Sequence, residues 1–74
     1  MNALVFLKSG RKFKIPDFLH INFVNDDGET ITVSDKDLEN FYLYDRLLTI
    51  VGKTRIASLH SADIEYIGFE KDNT

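Results

Sequence analysis

The chain of 74 residues has no cysteine, no tryptophan, a single proline and no apolar run longer than residues 3–7. Without cysteine, neither a disulfide nor a thiolate metal site can staple the fold. The run at 3–7 is stopped by Lys8 and Gly10. It falls far short of the ~20 apolar residues of a membrane helix and of a leader's apolar core. Acid is missing where base is concentrated. Residues 1–16 hold Lys8, Arg11, Lys12 and Lys14 with no acidic residue, while residues 17–74 hold all twelve acids and five bases, for a net charge of −3. That overall acidity argues against a general nucleic-acid coat, where positive charge supplies most of the affinity. One concentrated basic corner instead suits an anionic ligand, or the acidic face of a second copy.

What is present is ordinary globular material: 43% hydrophobic and 28% charged residues, with six Phe and three Tyr to build a core. There are no repeats, linkers or low-complexity segments. One β domain over 1–70 with a polar tail at 71–74 accounts for the length. A domain this small buries only about 60% of its unfolded surface, so its margin of stability alone is thin.

Period-two alternation is the dominant rhythm. Residues 3–8 form a first strand, Ser9-Gly10-Arg11 a tight turn, and 12–15 a return strand with Phe13 and Ile15 on one face and Lys12 and Lys14 on the other. Pro16 lacks an N–H and ends it. Leu19, Ile21 and Phe23 alternate with His20, Asn22 and Val24, placing the first set inward. Asn25-Asp26-Asp27-Gly28 reads as a type I turn closed by a left-handed glycine, leading to a strand with Ile31 and Val33 inward. Ser34-Asp35-Lys36-Asp37 fits a capping box before a short helical turn through Leu38 and Phe41. Strands are then expected at 41–44, 47–51, 55–59 and 64–70, with a short turn at His60–Asp63. In the first strand Val5 and Leu7 face one way, Leu4 and Phe6 the other. A strand apolar on both faces needs cover on both, and a second copy is the economical source. Leu4 and Phe6 are therefore the expected oligomer interface.

His60, Ser61 and Asp63 are the residue types of a hydrolytic triad, but three neighbours in one turn do not converge as a triad requires. A local hydrogen bond between Ser61 and Asp63 is the simpler expectation. His20 and His60 have no metal-ligand spacing, and Asp26-Asp27-Gly28-Glu29 lacks the alternating ligands of a calcium loop. The basic hairpin of Lys8, Arg11, Lys12 and Lys14 reads either as a protected edge or as an anion site. Lys53 and Arg55, at another hairpin tip, are placed to join it. Tyr42 and Tyr44 share a strand face with Arg46 in phase, an arrangement that suits stacking against a base or a protein hot spot as well as core packing.

The segment Val5-Phe6-Leu7-Lys8-Ser9-Gly10-Arg11-Lys12-Phe13 resembles the opening hairpin of small phage- and prophage-encoded β-proteins with SH3-like or Sm-like barrels. Arg55-Ile56-Ala57-Ser58-Leu59 followed by Ala62-Asp63-Ile64-Glu65-Tyr66-Ile67 resembles their closing strand, turn and strand. The resemblance covers about half the chain, and its motifs are structural; the segment from Ser34 to Tyr44 departs from the barrel pattern. By analogy it implies an inhibitor of bacterial immunity acting in the host cytoplasm.

The expectations are these. The fold is mainly β, either a small strongly bent antiparallel sheet or an SH3/Sm-like barrel with one short helical turn. The protein is not an enzyme and uses no cofactor, metal or membrane. It self-associates and sequesters a small anionic, nucleotide-like ligand as a counter-defence protein. Arg11, Lys12, Lys14, Lys53 and Arg55 supply polar contacts, and Tyr42 and Tyr44 supply stacking surfaces. The alternative is an inhibitor or adaptor whose acidic face occludes a basic surface of a host protein, such as a nucleic-acid-binding defence protein.

Overall fold

A computed structural model describes residues 1–43 and 46–71. The strands are β1 (Asn2–Leu7), β2 (Lys12–Ile15), β3 (Phe18–Val24), β4 (Thr30–Ser34), β5 (Leu47–Gly52), β6 (Ile56–His60) and β7 (Ile64–Glu70), with 3₁₀ turns at Asp35–Asn40 and Ser61–Asp63. All strand pairs are antiparallel. They make a three-stranded sheet in the order β2-β1-β7 and a four-stranded sheet in the order β4-β3-β5-β6. The mainly β expectation is met. The sheet is split in two, and among the described residues the ladders do not close into a barrel.

Alternation explains the layering. Ala3, Val5 and Ile15 of the first sheet and Ile21, Val33, Leu48 and Ile50 of the second are buried, joined by Phe18 and Ile64 in one core. Each fully buried Leu, Ile or Val contributes about 1.5–3 kcal/mol, which is where the stability of so small a domain must come from. Phe18 meets Phe69 edge-on at 5.1 Å and locks the end of β7 over the start of β3.

The turns follow the sequence closely. Gly10 (φ 92) closes the β1–β2 hairpin, donating its N–H to Leu7 O at 2.9 Å. Gly28 (φ 80) does the same for β3–β4, donating to Asn25 O at 3.0 Å. Asn25 Oδ1 accepts the N–H groups of Asp27 and Glu29, an Asx turn that pins the loop. The corner between the sheets is Pro16-Asp17. Asp17 takes φ 51, a left-handed conformation that aspartate tolerates better than most residues. Across this corner Phe18 N–H bonds Met1 O at 2.7 Å, and Lys53 N–H bonds Asp17 O at 3.2 Å.

Four local expectations are corrected. The register of β3 against β5 shifts between Phe18 and His20, so this bulge turns Phe18 inward and leaves Leu19 42% exposed. One extra residue reverses the side-chain phase of everything before it. Residues 41–43 alternate in sequence yet form no strand, and among the described residues no strand pairs with them. The expected capping box does not form: Ser34 makes no side-chain cap, and its hydroxyl reaches Asp37 Oδ2 at 3.3 Å. Finally, Ser61 has its hydroxyl engaged outside its own turn. Its Oγ accepts the Arg46 N–H at 2.9 Å while its own N–H donates to Arg46 O, tying the β6–β7 turn to the start of β5.

Candidate functional site: a groove between an aromatic pair and two lysines

The register of β1 with its two neighbours builds the site. Against β2, Leu4 lies opposite Lys14 and Phe6 opposite Lys12. Against β7, Leu4 lies opposite Gly68 and Phe6 opposite Tyr66. Directly opposed residues share a face, so Leu4, Phe6, Lys12, Lys14 and Tyr66 all project from the outer side of the three-stranded sheet. Ala3, Val5, Phe13 and Ile15 take the opposite phase toward the core.

On that outer face the Phe6 and Tyr66 rings stack at 4.3 Å and 17°. Such pairs are worth about 0.5–1.5 kcal/mol beyond the area they bury. Tyr66 covers one flank of Phe6. The other flank faces a groove of about 340 Å³ lined by Leu4, Phe6, Lys12, Phe13 and Lys14. Gly68, beside Leu4, has nothing within 4 Å of where a Cβ would stand, so the face stays low there.

The basic residues expected to act together are divided by the fold. Lys12 and Lys14 line the groove. Arg55 joins them from the β5–β6 turn, where its Nη1 donates to Lys14 O at 2.8 Å across the edge of β2. Arg11 does not join them. It sits at the hairpin tip and lines a separate hollow of about 550 Å³ with Leu7, Lys8, Ser9 and Asp63. That hollow is larger, but the Asp63 carboxylate opposes an anion there. Lys53 is also separate, lining a hollow with Met1, Asp17, Phe18, Leu19 and Asp35, where two carboxylates offset its charge.

The expected tyrosine platform falls partly outside the described residues. Tyr42 is 66% exposed in the irregular stretch after the first 3₁₀ turn, and Tyr44 lies outside the described residues. Arg46 is held on β3 and its hairpin loop. Its guanidinium lies 5.2 Å from the centre of the Phe23 ring, donates from Nη1 to Val24 O at 3.2 Å and pairs with Asp26 at 3.7 Å. Among the described residues no group of three or more His, Cys, Asp or Glu side chains is placed to hold a metal ion, and no helix is long and apolar enough to cross a membrane. The Ser61 hydroxyl is engaged by the Arg46 amide, and His60 lies on an exposed position of β6.

Tyr66 is the residue that sequence reasoning missed. The alternation of Tyr66 and Gly68 with Ile67 and Phe69 in β7 does signal an outward tyrosine. Only the pairing of β7 with β1 brings it to Phe6. Compared with protein-family models, curated proteins and solved structures, the chain matches none, so its site rests on this geometry alone.

Proposed function

We propose that the protein is a non-enzymatic binding protein that holds a small anionic, ring-bearing ligand of the nucleotide class in the groove between Phe6 and the two lysines. One observation carries this reading: the strand register sets two ammonium groups directly opposite an aromatic ring and a leucine on a single sheet face. A base stacked on an aromatic side chain gains about 1–3 kcal/mol whatever its identity. Lys12 and Lys14 give phosphate oxygens charge-assisted hydrogen bonds, with Arg55 at the margin adding a planar fork. The volume lies at the small end of ligand sites, which suits one nucleotide more than a strand. Sequestration of a signalling nucleotide in the host cytoplasm, the counter-defence role suggested by the resemblance, needs no more chemistry than this.

The occluding-inhibitor reading has less support. Besides Asp17, Asp63, Glu65 and Glu70, the exposed acids among the described residues fall into two groups, Asp26, Asp27 and Glu29 before β4 and Asp35, Asp37 and Glu39 after it. The length of β4 separates them, so they do not make one acidic face.

The test is calorimetric titration of the purified protein with mononucleotides and cyclic dinucleotides, mapped by amide chemical shifts. Binding with shifts centred on β1, β2 and Tyr66 is expected. Lys12→Glu with Lys14→Glu is expected to weaken it tenfold or more while the melting temperature stays nearly constant, because exposed lysines contribute little to stability. No binding at millimolar nucleotide, or undiminished binding by the double variant, refutes the proposal.

A further inference from the structure

The outer face of the four-stranded sheet differs from the rest of the surface. Outward positions number three on each of its four strands, and none of the twelve is Asp, Glu, Lys or Arg. In a chain that is 28% charged, a solvated sheet face of that size ordinarily carries several charges. Its middle row is polar and bonded in pairs: Thr32 Oγ1 donates to Asn22 Oδ1 at 3.0 Å, and Thr49 and Ser58 share a hydrogen bond at 2.9 Å. Polar side chains already bonded to one another can lose water cheaply, whereas unpaired ones cannot. The flanking rows carry exposed apolar side chains, Val24 (56%) and Leu47 (54%) on one side and Ile56 (65%) on the other, where Val51 lies next to it. Arg46 borders a hollow on this face with Asn22, Val24, Thr30, Leu47 and Thr49, and its guanidinium is engaged by the Val24 carbonyl, the Phe23 ring and Asp26. The edge strand β6 also lacks the lysine, proline or charge that ordinarily protects a sheet edge.

We infer that this face is an interface between two copies of the chain, packed sheet on sheet about a two-fold axis that runs along the Thr32–Asn22–Thr49–Ser58 row. Charge selects the occupant. Twelve outward positions without Asp, Glu, Lys or Arg, beside an Arg46 already paired with Asp26, give little electrostatic gain to an acidic or basic partner and strip such a partner of water. The one surface certain to match it in size and neutrality is the same face of a second copy. The axis follows from the rows. Rotation about the middle row lays polar on polar and exchanges the flanking rows, setting Val51 of each copy over Leu47 of the other. Aligned sheets pack in this way about 10 Å apart. Four strands at about 4.8 Å and five residues at about 3.3 Å make a face of about 19 by 17 Å. Two such faces come to about 650 Å² in plan, under the ~1,000 Å² of a tight specific interface, so the dimer is weak and forms only at high micromolar concentration. This dimer leaves the Phe6 groove open, because the groove lies on the other sheet.

Sedimentation of the full chain across 5–500 µM tests it, with amide shifts followed on dilution. The expected species at high concentration is twice 8.5 kDa, and the dilution shifts should be confined to outward positions of β3, β4, β5 and β6. Leu47→Lys and Ile56→Lys, both at exposed positions, should each weaken the dimer at least tenfold with the melt and any nucleotide binding retained. Leu4→Lys on the other sheet should leave the dimer intact. A monomer throughout the range overturns the inference. So does a dimer indifferent to both lysines, or one broken by Leu4→Lys. Because nucleotide binding is read separately, failure of the dimer and failure of the ligand reading are distinguishable.

Discussion

Gly52→Ala is the most exacting test of how the two sheets are joined. Gly52 is buried at the end of β5, where the chain crosses the end of β2. A Cβ there would stand 2.5 Å from Pro16 O, 2.8 Å from Ile15 Cγ2 and 3.3 Å from Arg55 O. Ordinary contact begins at 3.4 Å, so the backbone carbonyl of Pro16 must retreat by about 0.9 Å. Two of the three neighbours are backbone atoms, and the third belongs to a fully buried isoleucine, so none yields easily. Overpacking of this kind costs about 1–3 kcal/mol. The retreat also loosens two hydrogen bonds beside it, Gly52 N–H to Arg55 O at 2.8 Å and Lys53 N–H to Asp17 O at 3.2 Å. Each contributes about 0.5–1.5 kcal/mol. Alanine's lower entropy in the unfolded chain returns about 0.4–1 kcal/mol. The net loss is about 2–4 kcal/mol, against a total stability of about 4–11 kcal/mol for a domain this size. At about 4–8 °C per kcal/mol the melting temperature should fall by roughly 10–25 °C. Thermal and urea melts followed by circular dichroism measure it. A shift below about 3 °C would mean that β5 does not approach β2 as described.

Phe18→Ala should cost about 3–5 kcal/mol while Leu19→Lys costs under about 0.5 kcal/mol, since the bulge buries the first and exposes the second; urea melts showing the reverse order would restore strict alternation through β3. Gly10→Ala and Gly28→Ala should each lower stability by roughly 1 kcal/mol through their positive φ, a loss that thermal melts resolve. Ser61→Ala should cost about 1–3 kcal/mol, because the Arg46 amide loses its acceptor in a buried turn, whereas an unchanged melt would show that water replaces the hydroxyl.

What alternation and turn chemistry specify was legible beforehand. The phase of Lys12 and Lys14, the left-handed glycines at 10 and 28, and the inward set of β4 all follow from neighbours within a few residues. Two things were not. An inserted residue such as the bulge at Leu19 leaves no mark in composition, only a reversed phase. Contacts between distant segments also have no local signature. Arg55 reaches Lys14 O across 41 residues, while Lys53, two residues away in sequence, is carried to Asp17 and Asp35. The stretch 41–43 shows the opposite failure: its alternation is strand-like, but a strand exists only where another chain segment offers a ladder. Half of the candidate site, Lys12, Lys14 and Phe6, could be read from one hairpin. Tyr66 waited on the pairing of β1 with β7.

That pairing has a consequence for the order of folding. Asn2 Nδ2 donates to Glu70 Oε1 at 3.1 Å, a bond that spans 68 residues. The four-stranded sheet, by contrast, is assembled from segments close in sequence, apart from the single step from β3 to β5. Loop-closure entropy makes distant pairings late and slow. The central strand β1 therefore holds only its hairpin partner until β7 docks, and the transition state should be structured in β3–β5 and open at β7. Alanine scanning of folding rates should give high φ-values at Ile21 and Ile50 and low ones at Ile67 and Phe69. The aromatic stack is then among the last contacts to form, and a ligand held against it would slow unfolding more than it hastens folding.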